Sequence, residues 1–188
     1  LASFQAAIPA LRKAYGDRAV LRSMHFYDDD RRASQEAAAL KHGDFEAFLN
    51  LVNASGRSSS LLLQNTWSIH DPKQQAIPLA LTVGEHLLDG MGAIRVHGGG
   101  FAGTIQAFVP EDYLAPFKTD MEKLFGAGKC HILHQARADG VAGQLGNGFV
   151  LIHFAFPPLF RHHAAALGAD VEDVALARAE QLFHVRFE

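Results

Sequence analysis

A single cysteine, Cys130, stands among 188 residues. One thiol makes neither an internal disulfide nor a Cys-rich zinc site, so no secreted disulfide scaffold is implied and a reducing compartment such as the cytoplasm is expected. An excess of charge of one sign is also missing. The chain sets 17 Lys and Arg against 20 Asp and Glu, and a net charge of −3 supplies neither a basic footprint for nucleic acid nor a polybasic membrane patch. No apolar run reaches the roughly 18 residues that a membrane span requires, and the first residues lack the charged start and apolar core of a signal peptide. There is no internal repeat and no low-complexity tract. Leu1 rather than Met stands first, which points to a fragment, a processed chain or an engineered piece. What is present is apolar material: 48% of residues are hydrophobic, enough for the core of one domain, or of one domain with an appendage.

Periodicity places the elements. Phe4, Ile8, Leu11 and Tyr15 recur at helical spacing, and Gly16-Asp17 forms a stop. Asp28, Asp29 and Asp30 precede a helix expected over 33–41, where carboxylates suit the positive N-terminal end. Asp44 to Asn53 is a further helix with Phe45, Phe48, Leu49 and Val52 on one face, and the small polar stretch 54–60 reads as a loop or break. Ser58-Ser59-Ser60, with no neighbouring glycine motif or lysine, reads as a polar helix start rather than a phosphate loop. Ala76 to Leu88 carries an apolar stripe that ends at Gly90. Strands are expected over 93–96 and 104–109, a helix over 113–125, and a strand from Cys130 to about Arg137. Asp139-Gly140 is a turn into a short return strand. Residues 33–145 thus give an α+β fold with helices packed on one face of an antiparallel sheet.

The segment with most chemical content is Arg95-Val96-His97-Gly98-Gly99-Gly100-Phe101-Ala102-Gly103-Thr104. Its glycines satisfy G-x-G-x-x-G, and glycine permits the positive φ angles and close backbone approach of phosphate loops. A dinucleotide-binding unit needs a helix directly after the glycines, and here a strand follows. The catalytic motifs of protein kinases and the P-loop are both absent. On the residues alone, a glycine hairpin that serves helix packing and a phosphate-contacting loop are equally open.

The loop resembles the third signature motif of the GHMP small-molecule kinases, and its surroundings are similar to the C-terminal domain of the galactokinases, especially a bacterial branch. The resemblance runs through Gly16-Asp17-Arg18-Ala19, His25-Phe26, Gly43-Asp44-Phe45, the stretch 58–64, the helix ending at Gly90, the loop, and the strand Cys130-His131-Ile132-Leu133, covering roughly residues 1–145. It implies a ferredoxin-like domain and, in the intact enzyme, transfer of the ATP γ-phosphate to the C1 hydroxyl of galactose, with ATP and Mg²⁺ as cofactors. It also implies that Gly98, Gly99, Gly100, Phe101 and Gly103 support the phosphate loop and substrates, Mg²⁺ being handled mainly by an N-terminal domain. His97 and Ala102 stand where the motif more often has Thr and Gly. The sugar-binding Gly-Arg-x-Glu segment, the Gly-Leu-Ser-Ser-Ser loop and the catalytic Asp and Arg of that N-terminal domain are not in this sequence, so the chain alone is expected to be inactive. A reading of another class is a non-catalytic interaction or sugar- and nucleotide-sensing module.

Eleven histidines raise the question of metal binding, and His131 with His134 and His162 with His163 are the tightest groups. An odd separation in a strand puts His131 and His134 on opposite faces, so no metal site is expected. Cys130 begins a core strand and reads as a buried, inert thiol. Residues 146–188 match nothing in the family. They form a tail of non-native sequence, a dimer contact, or an added strand over 149–156 with a helix over 170–183, and the apolar face of Val171, Val174, Leu182 and Phe183 suggests self-association.

Overall fold

The computed structural model describes residues 2–67, 71–98, 103–133 and 149–155. The chain divides into two compact units, the first holding the helices up to Gln64 and the second the elements from Asn65 onward.

Among the described residues the first unit holds three helices: α1 (Ala2–Tyr15), α2 (Asp17–Lys41) and α3 (Phe45–Ser58). Gly16, at φ 81°, separates α1 from α2 in a single residue. The helix expected over 33–41 is the last part of α2, which runs unbroken for 25 residues. The acidic triplet therefore lies within a helix and does not start one. No glycine or proline interrupts Asp17–Lys41, and Asp28 and Asp29 accept hydrogen bonds from Arg31 and Arg32, at 3.1 and 2.8 Å, which ties the carboxylates into the helix surface at i,i+3. Gly43, at φ 71°, closes α2, and Asp44 caps α3 by accepting from the Ala47 N–H at 3.0 Å.

The loop expected over 54–60 is also helical. Helix α3 continues to Ser58 and passes into a π turn, Ser59–Leu63, that ends at Gln64 with φ 56°. Ser58-Ser59-Ser60 is thus the end of a helix, not a start. Packing overrides local preference here: Ser55, Gly56 and Ser58 are buried, and their small side chains allow α3 to lie close along α2.

The second unit comprises α4 (Ala76–Leu88), β1 (Ala93–Val96), β2 (Thr104–Pro110), α5 (Leu114–Phe125), β3 (Cys130–Leu133) and β4 (Phe149–Ala155). The strands form one sheet in the order β1-β2-β4-β3, each neighbouring pair antiparallel. This is the α+β architecture read from the sequence, and it is consistent with a ferredoxin-like domain. Ile77, Ala80 and Leu88 of α4 and Phe117 and Met121 of α5 meet Ile94, Val96, Ile105, Ala107, Ile152 and Phe154 of the sheet in one core. Each large apolar side chain buried there contributes about 1.5–3 kcal/mol. Strand β4 comes from the stretch beyond Gly146 and lies inside the sheet, its seven residues paired with β2 from Thr104↔Ala155 to Pro110↔Phe149. The expected turn at Asp139-Gly140, its return strand and the helix over 170–183 lie outside the described residues.

Two glycines set the distances between layers. A Cβ on Gly84 of α4 would sit 2.4 Å from Ile94 Cδ1, and one on Gly92 would sit 2.2 Å from the Phe108 carbonyl oxygen. The first neighbour is the free end of a side chain, whereas the second is backbone of a paired strand. Gly92→Ala should therefore cost about 1–3 kcal/mol or more, and Gly84→Ala less. Urea midpoints of the two variants test the ranking, and an unperturbed Gly92→Ala would refute the close backbone approach.

Candidate functional site

Strands β1 and β2 are the stem of the glycine hairpin. The ladder from Ala93↔Phe108 to Val96↔Ile105 is extended by one further bond, His97 N–H to Thr104 O at 3.0 Å. Beyond that bond the chain leaves extended geometry, with Gly98 at φ 58° and Gly103 at φ 79°. These two glycines occupy backbone conformations that strain an L side chain, so their identity is dictated by the turn. Gly98 is exposed and Gly103 is buried. Gly99, Gly100 and Phe101, the other residues expected to support a phosphate loop, lie outside the described residues, as does Ala102.

Alternation separates the two faces of the sheet. One face carries the core beneath α4 and α5. Across the other, the register aligns Arg95, Gln106, His153 and His131 in one row, and Ala93, Phe108, Leu151 and Leu133 in the next. His97 joins the polar row from the end of β1. Its Nδ1 donates to Gln106 Oε1 at 2.6 Å, and its ring lies 4.5 Å from that of His153, tilted by 45°. His153 is 4% exposed, and its Nε2 is buried and makes no hydrogen bond among the described residues.

Burial pushes the His153 imidazole down to about 4, and the proximity of His97 and His131 adds to this. The His97 imidazole is lowered for the same first reason, burial, with Arg95 adding to the effect and the Gln106 bond opposing it. Both rings are therefore neutral near pH 7. Sequence reasoning missed this pair because His153 sits in the stretch assigned to a tail, and only the β2–β4 register brings it to His97. The alternation of Gln106 and His153 with core residues in their strands was the available signal.

Cys130 is buried, which pushes its thiol up to about 11, as expected of an inert structural cysteine. Nearby, Glu122 Oε1 accepts from Lys118 Nζ at 3.2 Å and from the Gly128 and Cys130 N–H groups at 3.0 and 3.3 Å, fixing the turn from α5 to β3.

The first unit contains a hydroxyl, imidazole and carboxylate in sequence: Ser58 Oγ lies 2.9 Å from His25 Nδ1, and Asp29 Oδ2 lies 3.9 Å from His25 Nε2. The last distance is too long for a hydrogen bond. Asp29 also accepts from Ser55 at 2.6 Å and Arg32 at 2.8 Å, and both Ser58 and His25 are buried. The group is a polar tie between α2 and α3, since a nucleophile must be reachable by its substrate.

Two curated proteins show what the chain is similar to. A galactokinase from Roseiflexus sp. (strain RS-1) is 30% identical over 129 residues, 67% of this chain and 31% of that protein. A galactokinase from Homo sapiens is 29% identical over 134 residues, 71% of this chain and 32% of that protein. The chain is galactokinase-like. It spans about a third of the length of the curated galactokinases it matches. No protein-family model and no solved structure matches it. No described helix is long and apolar enough to cross a membrane.

The buried His153 imidazole of this galactokinase-like chain makes its stability depend on pH. Because the folded His153 value lies below the ordinary 6.5, the unfolded chain binds the proton more readily, so stability is complete above pH 6.5 and is lost as pH falls toward about 4. The loss attributable to His153 should be about 2–3 kcal/mol by the lower limit. Denaturation midpoints measured across this window should slope in the parent chain and less steeply in His153→Gln. Equal slopes in the two would refute the assignment.

Proposed function

We propose that this chain forms the C-terminal wall of a galactokinase-like sugar kinase, in which the γ-phosphate of ATP passes to the C1 hydroxyl of galactose. The observation that carries the reading is the glycine hairpin, turned by Gly98 and Gly103 at positive φ between two antiparallel strands, in a chain similar to galactokinases over about two thirds of its length. Glycines free the backbone to approach a phosphate group and to point N–H groups at it.

In the proposed reaction, the C1 hydroxyl oxygen bonds to the γ-phosphorus, the bond from that phosphorus to the ADP oxygen breaks, and the hydroxyl proton leaves to a base of the other half. Such a transfer depends on positioning and on neutralising phosphate charge. Among the described residues no three His, Cys, Asp or Glu side chains converge to hold an ion, so no residue is assigned to Mg²⁺ and no step is routed through it. The contribution of this chain is positional: a hairpin anchored on a four-stranded sheet, which shapes one side of the cleft.

Half of a cleft leaves the transferring group in water. The purified chain mixed with ATP and galactose should therefore give no turnover, and joining it to a segment carrying the sugar and phosphate-loop motifs should restore it. Brisk phosphorylation by the chain alone would overturn the half-cleft reading. A preference of the joined enzyme for mevalonate or homoserine in a substrate panel would overturn the assignment to galactose.

A further inference from the structure

We propose that His97 and His153 form a two-imidazole binding site for a divalent transition-metal cation of the Zn²⁺ or Ni²⁺ class, on the face of the sheet opposite the helices. This inference stands apart from the kinase reading, because it uses only the geometry of the polar row.

The first observation is the tautomer of His97. Gln106 Oε1 can only accept, so at 2.6 Å the Nδ1 of His97 carries the proton and its Nε2 carries a lone pair. An imidazole whose other ring nitrogen donates to an oxygen is the arrangement in which protein histidines bind metals, since the outer bond fixes the ring and raises its basicity. The second observation is the unsatisfied nitrogen of His153. A buried polar atom without a partner is destabilising, and among the described residues Nε2 of His153 is such an atom. A cation shared with His97 would satisfy it.

The separation of the rings fits. Two imidazoles bound to one ion at about 2.0–2.1 Å have centroids roughly 4.5–5.2 Å apart for ligand angles between about 90° and 109°. The observed centroids are 4.5 Å apart, and the 45° tilt is not that of a parallel stack. Neutral imidazoles select zinc, nickel or copper over magnesium or calcium, which take oxygen ligands. No third ligand-type side chain converges among the described residues, so water completes the coordination from the side of the half-buried His97 and binding is modest. Arg95, on the same row, turns its Nε to the Val96 carbonyl at 3.2 Å, and its positive charge, which acts on His97, opposes a cation there and further limits the affinity. His131, the cross-strand neighbour of His153, is exposed and is not required as a ligand.

Titration of the full chain with ZnCl₂ and with NiCl₂, followed by calorimetry and by the histidine ring signals in NMR, tests the site. One equivalent should bind, with the His97 and His153 signals moving first, and it should be lost in His97→Gln and in His153→Gln but kept in His131→Gln. Gln106→Leu should weaken affinity about 10–100-fold. Gln106→Glu should tighten it, because a carboxylate holding His97 Nδ1–H makes Nε2 a stronger donor. Circular dichroism establishes that each variant is folded. If a variant fails to fold, the order in which the parent chain's ring signals move decides the question alone. Absence of binding by the folded parent chain overturns the proposal. So does binding that survives both His97→Gln and His153→Gln, which would belong to the other histidines, or an affinity indifferent to both changes at Gln106.

Discussion

The register between β2 and β4 governs everything else in the second unit. Side chains alternate along a strand, so a slip of one residue would exchange the two faces. The pairing Ile105↔Phe154 and Ala107↔Ile152 puts four apolar residues under α4 and α5, and the same register forces Gln106↔His153 and Phe108↔Leu151 onto the opposite face. The imidazole pair is therefore a consequence of the register that builds the core. It could not be moved to the helix face without removing Ile152 and Phe154 from the core.

The distances between layers follow from the same sheet. Gly84 lets α4 approach Ile94, and Gly92 lets the entry to β1 pass within side-chain distance of the Phe108 carbonyl. Both glycines serve packing, whereas Gly98 and Gly103 serve conformation, because each holds a positive φ, one where the chain leaves the hairpin stem and one where it re-enters it. Glycine thus has two different reasons to be present within about twenty residues. The motif pattern cannot distinguish those reasons, and the structure does.

Much of this was legible beforehand. The strands β1 and β2, the helices α4 and α5 and the antiparallel α+β layering follow from alternation, apolar stripes and the stop at Gly90. Two kinds of feature escaped. The continuity of α2 through Asp28-Asp29-Asp30, and of α3 through Ser55-Gly56, depends on side chains on the two helices meeting, as when Asp29 receives both Arg32 and Ser55. A local reading sees only acidic and small residues there and places a boundary. The role of β4 depends on pairing between segments distant in the chain, and so does the candidate site: the glycines announce themselves in sequence, while the contact of His97 with His153 exists only through β2.

His97 is where these threads join. Its backbone makes the last ladder bond of the stem, to Thr104 O, and the next residue already has the left-handed conformation of the turn. Its side chain reaches along the sheet to Gln106 on β2 and meets His153 on β4. A threonine at this position, the commoner residue in the resembled motif, could brace the stem only through local contacts, since its hydroxyl is too short to cross a strand. The imidazole instead ties the base of the hairpin to an interior strand, at the cost of burying polar rings. Only His97 separates that tie from Gly98, so the turn starts from a residue held by the interior of the sheet.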